Sequence, residues 1–324
     1  MDLPAKRRQC FVLGCGVSGL SCGIRLLECG FDVTIVARDL PPETTSNRAA
    51  AIWYPYKAFP EDKVLAWGKV TLDEFYRLMD TPDSGVSAIT LVELFDEAAP
   101  DPWWKDAVRH FAHTADLPPG YRDGYTFEAP LIETPIYLRY LMRRFEESGG
   151  KIERRTVSTL SELCGERRLI VNCAGLGARE VAHDGGVYPI RGQIVRVRRP
   201  AGVRWWLDEA GHNALLYIIP RSEDCILGGT SEEGDWSLEA NPDTAAAILR
   251  RCQSLEPALK DAEIIEHRVG LRPGRREVRL EMERIDENCA VIHNYGHGGA
   301  GFTLSWGCAA EVARLAMAFA ARRL

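Results

Sequence analysis

No stretch of the 324 residues reaches the roughly 18 consecutive apolar residues that a membrane span requires. Basic charge is in deficit: the formal net charge is -6 and the sequence pI is about 5.8. Nucleic acids and anionic membrane surfaces favour basic partners, so neither is expected as the main one. The ten cysteines include no C-x-x-C pair, and none combines with a histidine at zinc-ligand spacing, so no metal is expected. Most of these thiols read as small buried hydrophobes, and a disulfide between two of the later ones is left open. Repeats and low-complexity linkers are missing as well. What remains is an ordinary globular composition, 46% hydrophobic and 27% charged, which excludes disorder and coiled coil. At one domain per roughly 150 residues, two domains are expected. The apolar run at Cys10 passes directly into a glycine turn rather than a small-residue cleavage site, so the cytoplasm is the expected location. Arg322-Arg323-Leu324 makes a poor peroxisomal tripeptide.

The first 40 residues carry the clearest pattern. Cys10 to Leu13 reads as a strand, and Gly14, Gly16 and Gly19 form G-x-G-x-x-G. Val17 to Cys29 reads as a helix ended by Gly30, and Asp32 to Ala37 as a second strand. This is a βαβ unit with a dinucleotide fingerprint. Gly14 permits the tight turn, Gly16 lets a pyrophosphate approach the backbone, and Gly19 lets helix pack on strand. The acidic residue expected at the end of the second strand is replaced by Arg38, with Asp39 one place late. Arginine there suits the 2′-phosphate of NADP, so these residues alone leave NADP and FAD open.

Further along, helices are expected over 61–79, 135–148, 242–252 and 303–321. Strands are expected over 169–173, 187–197, 214–220, 224–230, 263–271 and 291–294. A second glycine turn, Ala174-Gly175-Leu176-Gly177, follows the first of these strands. The domains are expected to interleave.

Four segments together resemble the D-amino-acid oxidase family, which includes D-aspartate oxidase. They are Val12 to Ser21; Ala49-Ala50-Ala51-Ile52-Trp53-Tyr54-Pro55-Tyr56 with Thr44-Thr45-Ser46 before it; Tyr217-Ile218-Ile219-Pro220 with Leu227-Gly228-Gly229-Thr230; and Gly270-Leu271-Arg272-Pro273 leading to His293 through Thr303. Ala98 to Asp106 and Arg191-Gly192-Gln193 add to the match, which spans nearly the whole chain. The resemblance implies FAD rather than NADP. The implied fold is α/β: a Rossmann-like FAD-binding domain interleaved with a smaller α+β substrate domain built on a twisted antiparallel sheet. The expected division assigns 1–53, 134–186 and 271–324 to the first and 54–133 and 187–270 to the second. The implied reaction oxidises a D-amino acid with oxygen to a 2-oxo acid, ammonia and hydrogen peroxide. Expected partners are therefore the D-amino acid and oxygen, with a homodimer allowed for.

The resemblance also distributes roles. Arg272 is the expected carboxylate clamp, because a planar guanidinium meets a carboxylate bidentately. Tyr217 should donate its phenol to the same group, and the Gly299 carbonyl should receive the substrate amine. Gly298, Gly299, Gly301, Phe302 and Thr303, opening the last helix, should present N–H groups to the flavin, where a helix N-terminus stabilises developing negative charge. Val17 and Ser18 should lie at the pyrophosphate, and Arg38 and Asp39 at the ribose. Thr44, Thr45 and Ser46 offer hydroxyls, while Ala50, Ala51 and Trp53 should line the flavin ring. Val157, Ala174 and Gly175 should flank the adenine. Tyr54, Asn213 and Ser231 are expected in the substrate pocket. His293 and His297 are read as structural, since hydride departure from Cα needs no protein base. The short segment 207–216 implies a more open site with less gated product release, and the lack of added arginines implies a preference for neutral side chains over D-aspartate.

Overall fold

The computed structural model describes residues 8–164, 168–209, 215–286 and 289–321. The chain starts with the expected unit: strand β1 (Gln9–Leu13), helix α1 (Val17–Glu28) and strand β2 (Asp32–Ala37). Gly30 follows α1 at φ +84, the left-handed conformation that lets the chain reverse into β2. Helix α2 (Glu61–Met79) begins after Pro60 with Glu61 and Asp62 in its first turn, where acidic groups complement the helix dipole. Strands β3 (Val86–Phe95), β4 (Arg109–His113) and β5 (Asp123–Ile132) follow. Then come helix α3 (Thr134–Glu147), strand β6 (Lys151–Arg154), strand β7 (Arg168–Asn172) and the one-turn helix α4 (Ala178–Val181).

The second half adds β8 (Tyr188–Arg198), β9 (Trp205–Asp208), β10 (Leu216–Pro220), β11 (Asp224–Gly228) and β12 (Glu232–Glu233). Helix α5 (Pro242–Leu255) is capped by Asn241, whose side chain accepts from the N–H groups of Asp243 and Thr244. It runs one turn beyond the expected end. Strands β13 (Ile264–Gly274), β14 (Arg279–Arg284) and β15 (Cys289–Tyr295) precede helix α6 (Gly301–Ala321). This last helix is buried over most of its length, because it packs against both α1 and α2.

Two sheets organise these elements. One has the order β14-β15-β7-β1-β2-β6, with every pair parallel except β14–β15. From β1 the chain steps outward to β2 on one side and returns to β7 on the other. The crevice beyond the carboxyl ends of β1 and β7 is therefore a topological switch point, where open α/β sheets take ligands. The other sheet runs β12-β8-β11-β10-β9-β3-β5-β4, with β13 also on β8. It is antiparallel apart from β3–β9. β3, β4, β5, β6, β9, β12 and β14 were not among the expected elements. The burial of β3 is broken at Ser87 and Ala88, both exposed, and continuous from Leu91 to Leu94, so it lacks a clean period of two.

The ten cysteines are free thiols and eight of them are buried, in keeping with their reading as small hydrophobes. Among the described residues no helix is long and apolar enough to cross a membrane.

Candidate active site

A cavity of about 980 Å³ opens at the switch point and extends to the second sheet. That is within the roughly 300–1,000 Å³ range of small-molecule and cofactor sites. Its floor is the β1–α1 turn. Gly14 stands at φ +106, against the Cys173 carbonyl, where no Cβ could be placed. Gly19 lies so close to the Gly14 carbonyl that a side chain there would separate helix from strand. Gly19 thus serves the turn from beneath and is not part of the cavity wall. Gly16 caps α1 without any side-chain hydrogen bond, and no acidic residue occupies the first turn. The Val17 N–H donates to Ser46 Oγ at 3.0 Å, bringing the hydroxyl segment over the helix N-terminus. A helix N-terminus left open to a cavity suits an anionic phosphate.

Around this turn the wall is formed by Ser18, Arg38, Asp39, Thr44, Thr45, Ala50, Ala51, Val157, Ala174 and Gly175, as the sequence leads one to expect. The Arg38 guanidinium is held through Nε and Nη2 by Asp39. Its fork is thus shared with its own neighbour rather than held ready for a 2′-phosphate. Arg155 also lines the cavity, with its Nε 2.8 Å from Glu153 Oε1. The helix N-terminus, with no side-chain cap and no acidic residue in its first turn, fits an anionic nucleotide.

At the far end, Arg272 on β13 and Tyr217 on β10 converge, with Gly299 before α6 and Tyr56 from the loop ahead of α2. Arg272 Nη1 donates to the Thr230 carbonyl at 3.2 Å, and its guanidinium sits 5.8 Å from the Tyr56 ring centre. No carboxylate lies within ion-pair distance of it among the described residues. Its placement depends on Gly192 of β8, over whose Cα the guanidinium lies in the space a Cβ would take. Tyr217 rests on its strand partner Gly228 in the same way. Burial raises the Tyr217 pKa, with the Arg272 charge pulling the other way. The Tyr217 phenol is therefore a neutral donor. Sequence reading placed Arg272 and Tyr217 but not Tyr56, Gly192 or Gly228 in this role, although all three lie inside motifs it singled out.

Three expected wall residues stand elsewhere. Trp53 is buried beneath the wall, its indole donating to the Gly68 carbonyl at 3.0 Å. Thr303 is buried too, and its hydroxyl clamps the Tyr54 backbone, donating to the carbonyl at 2.8 Å and accepting from the N–H at 3.0 Å. Ser231 does not border the cavity, and its hydroxyl is buried without a partner. Asn213 lies outside the described residues. The N–H groups of Gly298, Gly299 and Ala300 are committed to the carbonyls of Pro273, Tyr56 and His297. Gly301 and Phe302, at the head of α6, are left to face the cavity. His297 Nε2 is 2.9 Å from Asn294 Oδ1, and complete burial lowers its pKa to about 4. Desolvation likewise lowers His293, which bonds Glu283. Both histidines are neutral near pH 7, in keeping with a structural reading.

Tyr54 also lines the cavity, but its phenol points away into a buried acidic cluster. The phenol oxygen is 2.7 Å from Glu93 Oε1 and 2.7 Å from Glu209 Oε2. Desolvation pushes the Glu93 carboxyl up to about 8, and burial raises Glu209 as well. No motif announced Glu93 or Glu209. Only the pairing of β3 with β9, which sets Glu93 opposite Leu207, brings them together.

This arrangement agrees with comparisons to known proteins. The family model described as FAD dependent oxidoreductase matches residues 9–315. A D-amino-acid oxidase of Rubrobacter xylanophilus is 54% identical over 94% of both chains. One from Dictyostelium discoideum is 41% identical over 94% of this chain and 90% of that one. Human D-aspartate oxidase is 35% identical, covering 94% of this chain and 93% of its own. Among solved structures, glycine oxidase from Geobacillus kaustophilus superposes with a TM-score of 0.80 at 18% identity, over 96% of this chain and 95% of that one. With its glycine turn, open helix N-terminus and long cavity at the sheet's switch point, the chain belongs to the FAD-dependent oxidoreductase family of the D-amino-acid oxidases.

Proposed function

We propose that this protein holds FAD along the cavity and oxidises neutral D-amino acids with oxygen, yielding 2-oxo acids, ammonia and hydrogen peroxide. The observation that carries the reading is Arg272, an arginine with no carboxylate partner among the described residues, facing the cavity beside the neutral donor Tyr217. The 54% identity to a D-amino-acid oxidase supports it.

Gly14, Gly16, Val17 and Ser18 would hold the pyrophosphate, Arg38 and Asp39 the ribose end, and Val157, Ala174 and Gly175 the adenine. Thr44, Thr45, Ser46, Ala50 and Ala51 would hold the flavin half, with Gly298, Gly299, Gly301 and Phe302 at its pyrimidine edge. When bound, FAD supplies the two-electron acceptor for the substrate Cα–H bond. The chain's own task is then orientation. Arg272 binds the substrate carboxylate bidentately, and Tyr217 donates to it. The Gly299 carbonyl accepts from the amine, so three contacts fix which Cα face is presented. Apolar walls at Leu207, Leu215 and Ile219 exclude water.

The division into an FAD-binding part (1–53, 134–186, 271–324) and a substrate part (54–133, 187–270) accompanies this reading. β1, β2, β6, β7, β14 and β15 then fall in the first part, and β3–β5 and β8–β12 in the second. β13 crosses from one to the other, so that Arg272 is carried on a strand of the substrate sheet.

Anaerobic titration with D-methionine and separately L-methionine tests the reading. Bleaching of the yellow band by the D-enantiomer alone, reversed by air, is expected. A yellow protein bleached by neither enantiomer would overturn the substrate assignment.

A further inference from the structure

Of the arginines on the cavity wall, Arg38 is matched by Asp39 and Arg155 by Glu153, while Arg272 faces the substrate end. Arg48 and Arg268 are left. Arg48 ends the single turn Thr45–Arg48, and its side chain has no hydrogen-bond or ion-pair partner among the described residues. Arg268 projects from β13. Its Nη2 bonds Glu266, but Glu266 also accepts from Arg196 Nη1 at 2.9 Å. Arg196 in turn shares Asp224 with the fork of Arg221. Arg48, Arg196, Arg221 and Arg268 thus meet only two carboxylates, Asp224 and Glu266, which leaves an excess of two positive charges. The Arg268 Nε is buried without a partner. Burial lowers the Arg268 pKa, Glu266 opposes the fall, and the charges of Arg196 and Arg48 add to it. A cation so placed is held at a cost until an anion joins it.

This excess sits beside the phosphate turn. Ser46, two residues before Arg48, accepts from the Val17 N–H at the head of α1 at 3.0 Å. In the same turn the Asn47 carbonyl accepts from Arg268 Nη1 at 3.3 Å. A Cβ on Gly270 would stand 3.0 Å from that of Arg48, so the turn packs directly on β13. Arg268, Gly270 and Arg272 alternate onto one face of that strand. The face therefore carries the expected substrate clamp at one end and Arg268 at the other. The head of α1 offers backbone N–H groups alone, because its N-cap is Gly16 and its first turn holds no cation. A dinucleotide brings one negative charge on each phosphate of its diphosphate, which the two unmatched arginine charges would balance.

We propose that Arg48 and Arg268 form a diphosphate clamp that holds the FAD diphosphate at the open N-terminus of α1. This rests on the flavin reading above and deepens it, by giving side-chain charge to a subsite otherwise served by backbone groups. Arg268 is oriented for the task by Glu266 and the Asn47 carbonyl. Arg48, exposed and unbonded, orders onto the phosphates when the cofactor is in place. Both residues anchor the cofactor and take no part at the reacting Cα.

The test follows FAD retention by the full-length holoprotein on dilution, read from the fluorescence of released flavin, in Arg48→Gln, Arg48→Lys and Arg268→Gln. ADP, which carries the diphosphate, and adenosine, which lacks it, serve as competitors. Arg48→Gln and Arg268→Gln should each raise the FAD Kd about tenfold, the size of one charge-assisted bond. Adenosine, itself unaffected, should then displace FAD about tenfold more readily. ADP, weakened in step with FAD, should gain nothing. Arg48→Lys keeps the charge and should stay near the parent, and added salt should weaken FAD binding less in Arg48→Gln than in the parent. Parent-level FAD retention in folded Arg48→Gln and Arg268→Gln overturns the clamp while the flavin reading stands. A loss that Arg48→Lys shares in full overturns it too. If the protein neither carries nor takes up flavin, the flavin reading falls. Calorimetric ADP binding that weakens in Arg48→Gln, with adenosine binding unchanged, would then keep the clamp, and equal ADP binding would remove it as well.

Discussion

The guanidinium of Arg272 lies over the Cα of Gly192. The two residues belong to paired strands, β13 and β8, with Arg272 opposite Ile190 and Gly192 diagonal to it on the same face. The missing side chain at position 192 is what lets the arginine lie flat against the sheet with its fork toward the cavity.

Gly192→Ala is therefore expected to act on Arg272 rather than on the fold. The added methyl would occupy guanidinium space, and the flexible arginine, not the backbone, would yield. The KM for D-methionine should rise at least about tenfold with FAD still bound, since one charge-assisted contact is worth roughly 1.5–3 kcal/mol. Steady-state kinetics together with the flavin absorbance of the purified variant check this.

Arg272→Ala should cost far more. Removing the cation leaves the substrate carboxylate desolvated and unpaired, a loss of roughly 2–5 kcal/mol. A fall in kcat/KM on the order of 10³-fold is expected. Arg272→Lys should recover only part of it, because an ammonium cannot reproduce the two parallel bonds. FAD content should stay at the parent level in both, and loss of FAD would point to a different place for this residue.

How far the sequence foretold this site depended on the range of the contacts involved. The glycine turn, α1, β2 and the Ser46 segment are specified within about 40 residues, and they stand where expected. Arg272 and Tyr217 were legible because each sits in a motif, although their supports, Gly192 and Gly228, gain meaning only once strands pair. Trp53 and Thr303 belong to the same motifs as true wall residues. The helix period turns Thr303 inward and the irregular loop ahead of α2 buries Trp53, so proximity in sequence misled. Glu93 and Glu209 are 116 residues apart, and nothing local marks two acids destined for one phenol. Glu93 lies on β3 and Glu209 just past the end of β9, and neither strand was among the expected elements.

The raised Glu93 pKa makes stability fall as pH rises. A carboxyl titrating near 8 in the folded state and near 4.5 when unfolded keeps its proton longer in the fold. Between those values the folded protein binds the extra proton, so stability falls as pH rises through that window and levels off above about 8. Tyr54, Glu209, Tyr125 and Asp208 face this carboxyl, and none of them supplies a positive charge to reverse the trend. Glu93→Gln removes the titration. The thermal midpoint of the variant should match the parent near pH 5 and exceed it by several degrees at pH 8. Equal midpoints at both values would mean that Glu93 is ionised in the fold.

At the acid side the sign is opposite and the residue is His297. Its pKa is lowered to about 4 by complete burial, against 6.5 for the free side chain. Between those values the unfolded chain takes up a proton that the folded chain refuses, so stability is lost as pH falls from about 6.5 to 4. At about 1.4 kcal/mol per unit, the loss from this residue alone is roughly 3 kcal/mol. His297 lies where the chain enters α6, one residue before Gly298, whose N–H is tied to the Pro273 carbonyl. Charging the ring therefore loosens the turn that carries Gly299 into the cavity. FAD release should begin at a higher pH than global unfolding and should follow a single protonation. His297→Gln, uncharged at every pH and able to donate to Asn294 as the ring does, should retain FAD through pH 5. Parallel release curves for parent and variant would assign the acid sensitivity to another group.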